Sequence, residues 1–271
     1  MPAFFYGTAW KEARTKKLVS QALSAGFRAI DTANQRRHYF EAAVGKAIAA
    51  RLAEGGLARS DLFLQSKFTH RAGHDERVPY DDGAPLGEQV RQSFESSLEH
   101  LGVASLDSYL LHGPSTRSGL GQADWAVWRA LEDLHRRGSV RFIGVSNVSL
   151  DQLSLLFAGA EIKPAFVQNR CYARTGWDRE VRAFARAHGI GYQAFSLLTA
   201  NTRELGQPEL KRIAQRTQRT PEQIVFRFAL EVGMIPLTGS ANLGHLQQDL
   251  ECFELELEAD DLTRIERISS G

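Results

Sequence analysis

Residues 16–33 read KKLVSQALSAGFRAIDTA. Over residues 16–25 the apolar side chains Leu18, Val19, Ala22 and Leu23 recur at helical spacing, and Gly26 supplies the stop that helix ends favour. Residues 27–30 form a short strand candidate, and the chain turns polar at Asp31-Thr32-Ala33 where that run ends. Helix, glycine stop, short strand and polar exit make one unit, and the question is how often it recurs.

It recurs along the whole chain. Further strands are expected at residues 4–6, 62–64, 106–111, 140–145, 165–167, 190–195 and 234–237. Helices are expected at 41–52, 86–101, 124–137, 150–157, 179–187, 208–216 and 221–231, followed by two more at 243–252 and 259–268. Ser149 reads as a helix cap, and Thr220 with Pro221, Glu222 and Gln223 as a capped helix start. Eight strand–helix pairs with no Pro/Gly/Ser-rich linker predict one domain over residues 1–271, an α/β protein of the (β/α)8 TIM-barrel class. A doubly wound open sheet would also alternate, but no Gly-x-Gly-x-x-Gly follows the first strand. The length of 271 residues is close to the roughly 250 of one such barrel. Residues 70–85 lack periodicity and hold Gly73, Pro79, Gly83 and Pro85, which reads as a loop on the substrate side.

The bulk properties exclude several classes. With 43% hydrophobic and 24% charged residues the chain can bury a core, and a net charge of +1 gives no pull toward nucleic acid or an anionic membrane. No segment has the 18 or so apolar residues of a membrane span, and the N-terminus does not read as a signal peptide. Cys171 and Cys252 cannot build a disulfide framework and read as reduced thiols. The expectation is a cytoplasmic monomer with no nucleic-acid or membrane partner.

Function is written at the strand ends. After strands two to eight come Asp31-Thr32, Gln65-Ser66-Lys67, His112, Ser146-Asn147, Gln168-Asn169, Ser196 and Thr238-Gly239-Ser240. In a barrel those ends converge on one mouth. Singly, Asp31 is an ordinary cap or turn residue, Lys67 a solvated lysine and His112 a satisfied buried histidine; their shared position is what points to catalysis. A lysine beside an aspartate in a poorly solvated mouth would favour the phenolate of a neighbouring tyrosine and lower its pKa from about 10. Such a phenol can give a proton to a carbonyl oxygen as hydride reaches the carbon, with a neutral histidine orienting that oxygen. Tyr39, in His38-Tyr39-Phe40-Glu41, is the available tyrosine. A metal centre from His70, His74, Asp75 and His112 is disfavoured, because a loop is a poor preset cage and no second ligand pair has helical spacing.

Several stretches together resemble the aldo-keto reductases. These are residues 26–33, Glu41 with Val44-Gly45, Ser66-Lys67, residues 107–112, Ile143-Gly144-Val145-Ser146-Asn147, Ala194-Phe195-Ser196 and residues 235–240, spread over nearly the whole chain. The resemblance implies a catalytic tetrad of Asp31, Tyr39, Lys67 and His112. It implies that Ser146, Asn147 and Gln168 hold a nicotinamide carboxamide and that Phe195 stacks on its ring. It extends the cofactor contacts to Thr8, Asp31, Ser196, Leu197, Leu198, Thr238, Gly239, Ser240, Asn242, His245, Gln248 and Asp249, and the substrate walls to Trp10, Phe68 and Gly113. Counting back from Glu41 puts His38 in the usual tyrosine position, but Tyr39 alone there has a phenol and the longer loop can absorb the shift, so the proton donor is Tyr39 with His38 as the alternative. Where the family carries a lysine and an arginine for the 2′-phosphate, Gly239 and His245 stand here, which implies NADPH with relaxed preference and room for NADH. The family's bottom hairpin and long C-terminal loop have no counterpart in the sequence, which implies an open pocket. A non-catalytic, cofactor-binding redox sensor is the competing reading.

Overall fold

A computed structural model describes residues 1–269. The strands are β1 (Phe5–Gly7), β2 (Ala29–Asp31), β3 (Phe63–Phe68), β4 (Leu106–Leu111), β5 (Val140–Ser146), β6 (Phe166–Arg170), β7 (Gly191–Phe195) and β8 (Met234–Thr238). Each is parallel to the next, and β8 closes on β1 through Phe5 opposite Leu237 and Tyr6 opposite Thr238. The expected TIM barrel is the fold. The helices are α1 (Thr15–Ala25), α2 (Glu41–Ala53), α3 (Leu86–Leu101), α4 (Gln122–Arg136), α5 (Leu150–Gly159), α6 (Arg179–Ala187), α7 (Thr202–Leu205), α8 (Pro208–Thr217), α9 (Pro221–Glu231), α10 (Leu243–Leu250) and α11 (Ala259–Glu266).

Local chemistry sets these boundaries. α1 stops at Gly26, whose φ of +117° a side chain would resist. Ser149 and Gln152 cap α5 reciprocally, as do Thr220 and Gln223 at α9. Gly45 lets α2 lie against α3, because a Cβ there would come within 2.0 Å of the His100 carbonyl oxygen. β3 runs on through Lys67 to Phe68, past the expected end at residue 64. The single-turn α7 was not visible in the pattern, being too short to show a period.

The barrel interior is layered by strand alternation. At the N-terminal ends Phe5, Phe63, Phe142 and Phe166 meet edge-on or stacked, with centroids 5.5–6.1 Å apart, and fill the floor. Above them the side chains of Gln65, Gln168 and Gln193 bond to one another across the barrel. Asp31, Lys67, His112 and Phe195 lie at the mouth. Among the described residues no helix is long and apolar enough to cross a membrane.

Candidate active site

Asp31 and Lys67 form the centre of the mouth. Lys67 Nζ donates to Asp31 Oδ1 at 2.6 Å and to the Thr32 carbonyl oxygen at 2.8 Å. Gln65 and Gln168 also donate to Asp31 Oδ1, at 2.7 and 3.0 Å. The Thr8 hydroxyl and amide both bond the Asp31 carbonyl oxygen at 3.0 Å, tying β1 to β2 at the rim. Alternation turns the neighbouring Ser66 outward, where its hydroxyl bonds Glu41 at 2.5 Å.

Tyr39 joins this pair. Its ring centroid lies 5.4 Å from Lys67 Nζ and 5.8 Å from the His112 ring. His38 does not: its ring lies against Trp10 with centroids 4.0 Å apart and planes tilted by 36°, and its carbonyl oxygen accepts from the Trp10 amide at 2.7 Å. The phenol is not lowered by Lys67 as expected. Burial, and then the Asp31 carboxylate, push it above its ordinary 10, because the lysine charge is already matched by Asp31. Tyr39 is therefore a neutral phenol at neutral pH. Burial draws the Lys67 ammonium down, offset by Asp31. His112 is held well below 6.5 by burial and the nearby Lys67 charge, so its imidazole is neutral. Its Nδ1 lies 2.7 Å from the Thr69 hydroxyl.

The next strands bring amides and a flat ring to the same rim. Asn147, left-handed at φ +57°, donates from Nδ2 to the His112 carbonyl oxygen at 2.8 Å and to Ser146 Oγ at 3.1 Å, which leaves Oδ1 for a ligand. The Ser146 hydroxyl donates to the Gln168 carbonyl oxygen at 2.8 Å. Phe195 is half-buried at the mouth, with the Arg170 guanidinium 5.5 Å from its centroid. Ser196 follows at φ +58°, Leu197 is buried and Leu198 half-buried. A flat ring beside amide donors and acceptors fits a nicotinamide carboxamide.

The corner beyond β8 is bonded largely to itself. Asn242 Oδ1 already accepts the Gly244 and His245 amides at 2.8 and 3.3 Å, and the Ser240 amide donates to Thr238 Oγ1 at 3.3 Å. Those N–H groups are engaged within the protein rather than open to a phosphate. His245 and Gln248 are exposed. Asp249 is buried and accepts from the Thr238 hydroxyl at 2.8 Å; burial pushes its carboxyl up to about 6. A cation does stand here: Lys11, nearly buried, donates from Nζ to the Gly239 carbonyl oxygen. Sequence reasoning passed over it, although it follows Trp10 directly at the β1 rim.

One substrate-wall assignment changes, and the 70–85 loop reaches the Tyr39 cavity only through residues 77–79. Phe68 is fully buried, its ring stacked 5.5 Å from Tyr80, and alternation next to the inward Lys67 turns it away from the mouth, so it offers no wall. Residues 70–85 pack outward: Asp81 donates its amide to Gln92 of α3 at 2.7 Å, and His70 lies 3.1 Å from Asp124 of α4. They leave a cavity of about 290 Å³ beside Tyr39, with Phe40, Arg77 and Val78 among its walls. Trp10, 65% exposed, and Gly113 do lie at the rim. His74 bonds the Thr69 carbonyl oxygen and Asp75 pairs with Arg77, so with His70 on Asp124 three of the four candidate ligands turn to separate partners.

Comparison with known proteins agrees with the fold. An oxidoreductase of Bacillus subtilis named YtbE is 34% identical over 254 residues, spanning 93% of this chain and 83% of its own. The glyoxal reductase of Bacillus subtilis is 31% identical over 252 residues, spanning 93% and 82%. The crystal structure of an aldo/keto reductase from Brucella melitensis superposes with a TM-score of 0.83 at 29% identity, covering 99% of this chain and 95% of that one. The sequence model of the Aldo/keto reductase family matches residues 4–270, and the chain belongs to that family of oxidoreductases.

Proposed function

We propose that this barrel reduces small aldehydes and ketones to alcohols, with NADPH as the donor, NADH accepted, and Tyr39 as the proton source. A bound nicotinamide supplies the hydride. Phe195 stacks on its ring, and Asn147 and Ser146 hold its carboxamide, with Gln168 released from Asp31 to join them. The substrate carbonyl sits between Tyr39 and His112. As charge builds on its oxygen, the Tyr39 hydroxyl gives up its proton to it; the ammonium of the Lys67–Asp31 pair, 5.4 Å from the ring, is the cation beside the phenolate that remains. His112 orients the oxygen. Trp10 and Gly113 flank the entrance. The protein works as one cytoplasmic barrel, a monomer, on small molecules.

The observation that carries the reading is the convergence of a phenol, a neutral imidazole and a buried Asp–Lys pair within one mouth. The name of the Bacillus subtilis glyoxal reductase supports a small carbonyl as substrate. Turnover of glyoxal and of 4-nitrobenzaldehyde with each nicotinamide cofactor tests it. Tyr39→Phe should lose at least about 100-fold in kcat while fluorescence titration still reports dinucleotide binding. Binding without turnover in the unaltered protein would instead favour the redox-sensing barrel, and retained rate in Tyr39→Phe would remove the phenol from its role.

A further inference from the structure

Thr69 follows β3 and is 6% exposed, and its hydroxyl meets Nδ1 of His112 at 2.7 Å. The residue is clamped from outside the barrel. Its carbonyl oxygen accepts from His74 Nε2 at 3.1 Å and from the Tyr80 hydroxyl at 2.9 Å. Its methyl group packs so closely on Gly73 that a Cβ there would come within 2.5 Å of it. Residues 70–85, which sequence reasoning gave to the substrate, therefore grip the residue that touches the imidazole.

A hydroxyl beside an imidazole can donate or accept. If Nδ1 carried the proton and donated, the Thr69 hydroxyl hydrogen would need another acceptor. Among the described residues Oγ1 has no hydrogen-bond partner besides His112. If the hydroxyl donates, both groups are satisfied, and the neutral ring carries its proton on Nε2. That nitrogen bonds to none of the described side chains. We infer that Thr69 is a positioning residue that fixes His112 as the Nε2–H tautomer, so that the imidazole presents a donor and not a lone pair to the mouth. The inference rests on the proposed reduction for its purpose: a carbonyl oxygen gathering charge is stabilised by an N–H and repelled by a lone pair.

The tautomer can be read without cofactor or substrate. Protein labelled with [15N]histidine gives two-bond proton–nitrogen correlations near neutral pH, and the His112 signals are identified by their loss in His112→Gln. The expected pattern is an unprotonated Nδ1 and a protonated Nε2. Thr69→Val keeps the methyl against Gly73 and deletes the hydroxyl; it should shift the ring toward the other tautomer and lower kcat roughly 10- to 100-fold, with the NADPH dissociation constant unchanged. Thr69→Ser should keep the tautomer and most of the rate. A protonated Nδ1 in the unaltered protein overturns the inference, as does a Thr69→Val ring that keeps its tautomer or a variant that changes tautomer at full rate. Should Thr69→Val fail to fold, the unaltered spectrum and the serine variant still decide. An unaltered protein that binds no dinucleotide would end the reduction reading while leaving the tautomer result standing.

Discussion

Lys67 Nζ lies 2.6 Å from Asp31 Oδ1, and the two side chains are 0% and 5% exposed. Neither charge can be solvated without the other, since removing one partner of such a pair leaves an uncompensated buried charge at a cost of about 3–5 kcal/mol. Lys67→Met should therefore lower the unfolding free energy by about that much, measured in urea. The double variant with Asp31→Asn should cost less than the two singles summed, by at least about 1 kcal/mol, because the same pair is lost in each. An additive cycle would mean that water reaches the pair. Each single variant should also be inactive, through loss of charge beside Tyr39.

His38 and Tyr39 are neighbours in sequence with different surroundings. His38 packs against Trp10, while Tyr39 lies beside Lys67 and His112. His38→Ala should leave kcat within about threefold, against a loss of 100-fold or more for Tyr39→Phe. It should loosen Trp10, which is 65% exposed, and so raise KM for aromatic aldehydes more than for glyoxal. Comparable losses in kcat for the two variants would return the proton-donor role to the imidazole.

The barrel was legible because eight strand–helix pairs follow one another without a linker, and strands two to eight each end in polar residues, patterns that survive without knowledge of register. Asp31, Lys67 and His112 could be placed at one rim for that reason. What a neighbour does to a group's proton affinity could not be read. The sequence puts a lysine near a tyrosine, but only the structure shows Asp31 spending that charge first. Phe68 failed for a related reason: it adjoins Lys67, and alternation sends adjacent strand residues to opposite faces once β3 is known to run that far. Gln65 and Gln193 bond each other from strands far apart in the chain; Gln65 showed as a polar strand end, whereas the one signal of Gln193 was a polar side chain inside an otherwise apolar run. Thr69 had no signal at all, since its partner His112 comes from another strand.

Asp249 bears on both stability and coenzyme choice. Its carboxyl is raised to about 6 from 3.8, so ionising it costs the folded state. A raised carboxyl carries no penalty below 3.8, and the penalty is complete above about 6. At 1.36 kcal/mol per pKa unit, the upper limit is about 3 kcal/mol. Asp249→Asn can still accept from Thr238, so it should raise Tm at about pH 7.5 and gain little near pH 4.5. It also removes a negative charge from the corner proposed for the 2′-phosphate, and should shift the NADPH-to-NADH ratio of dissociation constants toward NADPH by roughly 3- to 10-fold. A lower Tm at the higher pH, or an unmoved ratio, would detach this side chain from the role.

His100 of α3 meets buried Glu41 at 3.3 Å, and this hydrogen bond raises the imidazole above 6.5 against the opposing effect of burial. The sign follows from the direction of the shift. A base with a raised folded pKa lends its full stabilisation below the unfolded value, near 6.5, and loses it as pH climbs through the folded value. The side chain is 37% exposed, so screening holds the contribution below about 1 kcal/mol. The Tm advantage of the unaltered protein over His100→Gln should thus be about 1–2 °C near pH 6 and fade toward pH 8. Glu41 opens α2, two residues after Tyr39, and its other oxygen takes the Ser66 hydroxyl at 2.5 Å. Losing His100 should therefore also loosen the approach to Tyr39, read as faster amide hydrogen exchange at the start of α2 and confined to the pH range where the imidazole is charged. An advantage that stays flat or grows with pH would show that His100 contributes by packing and not by charge.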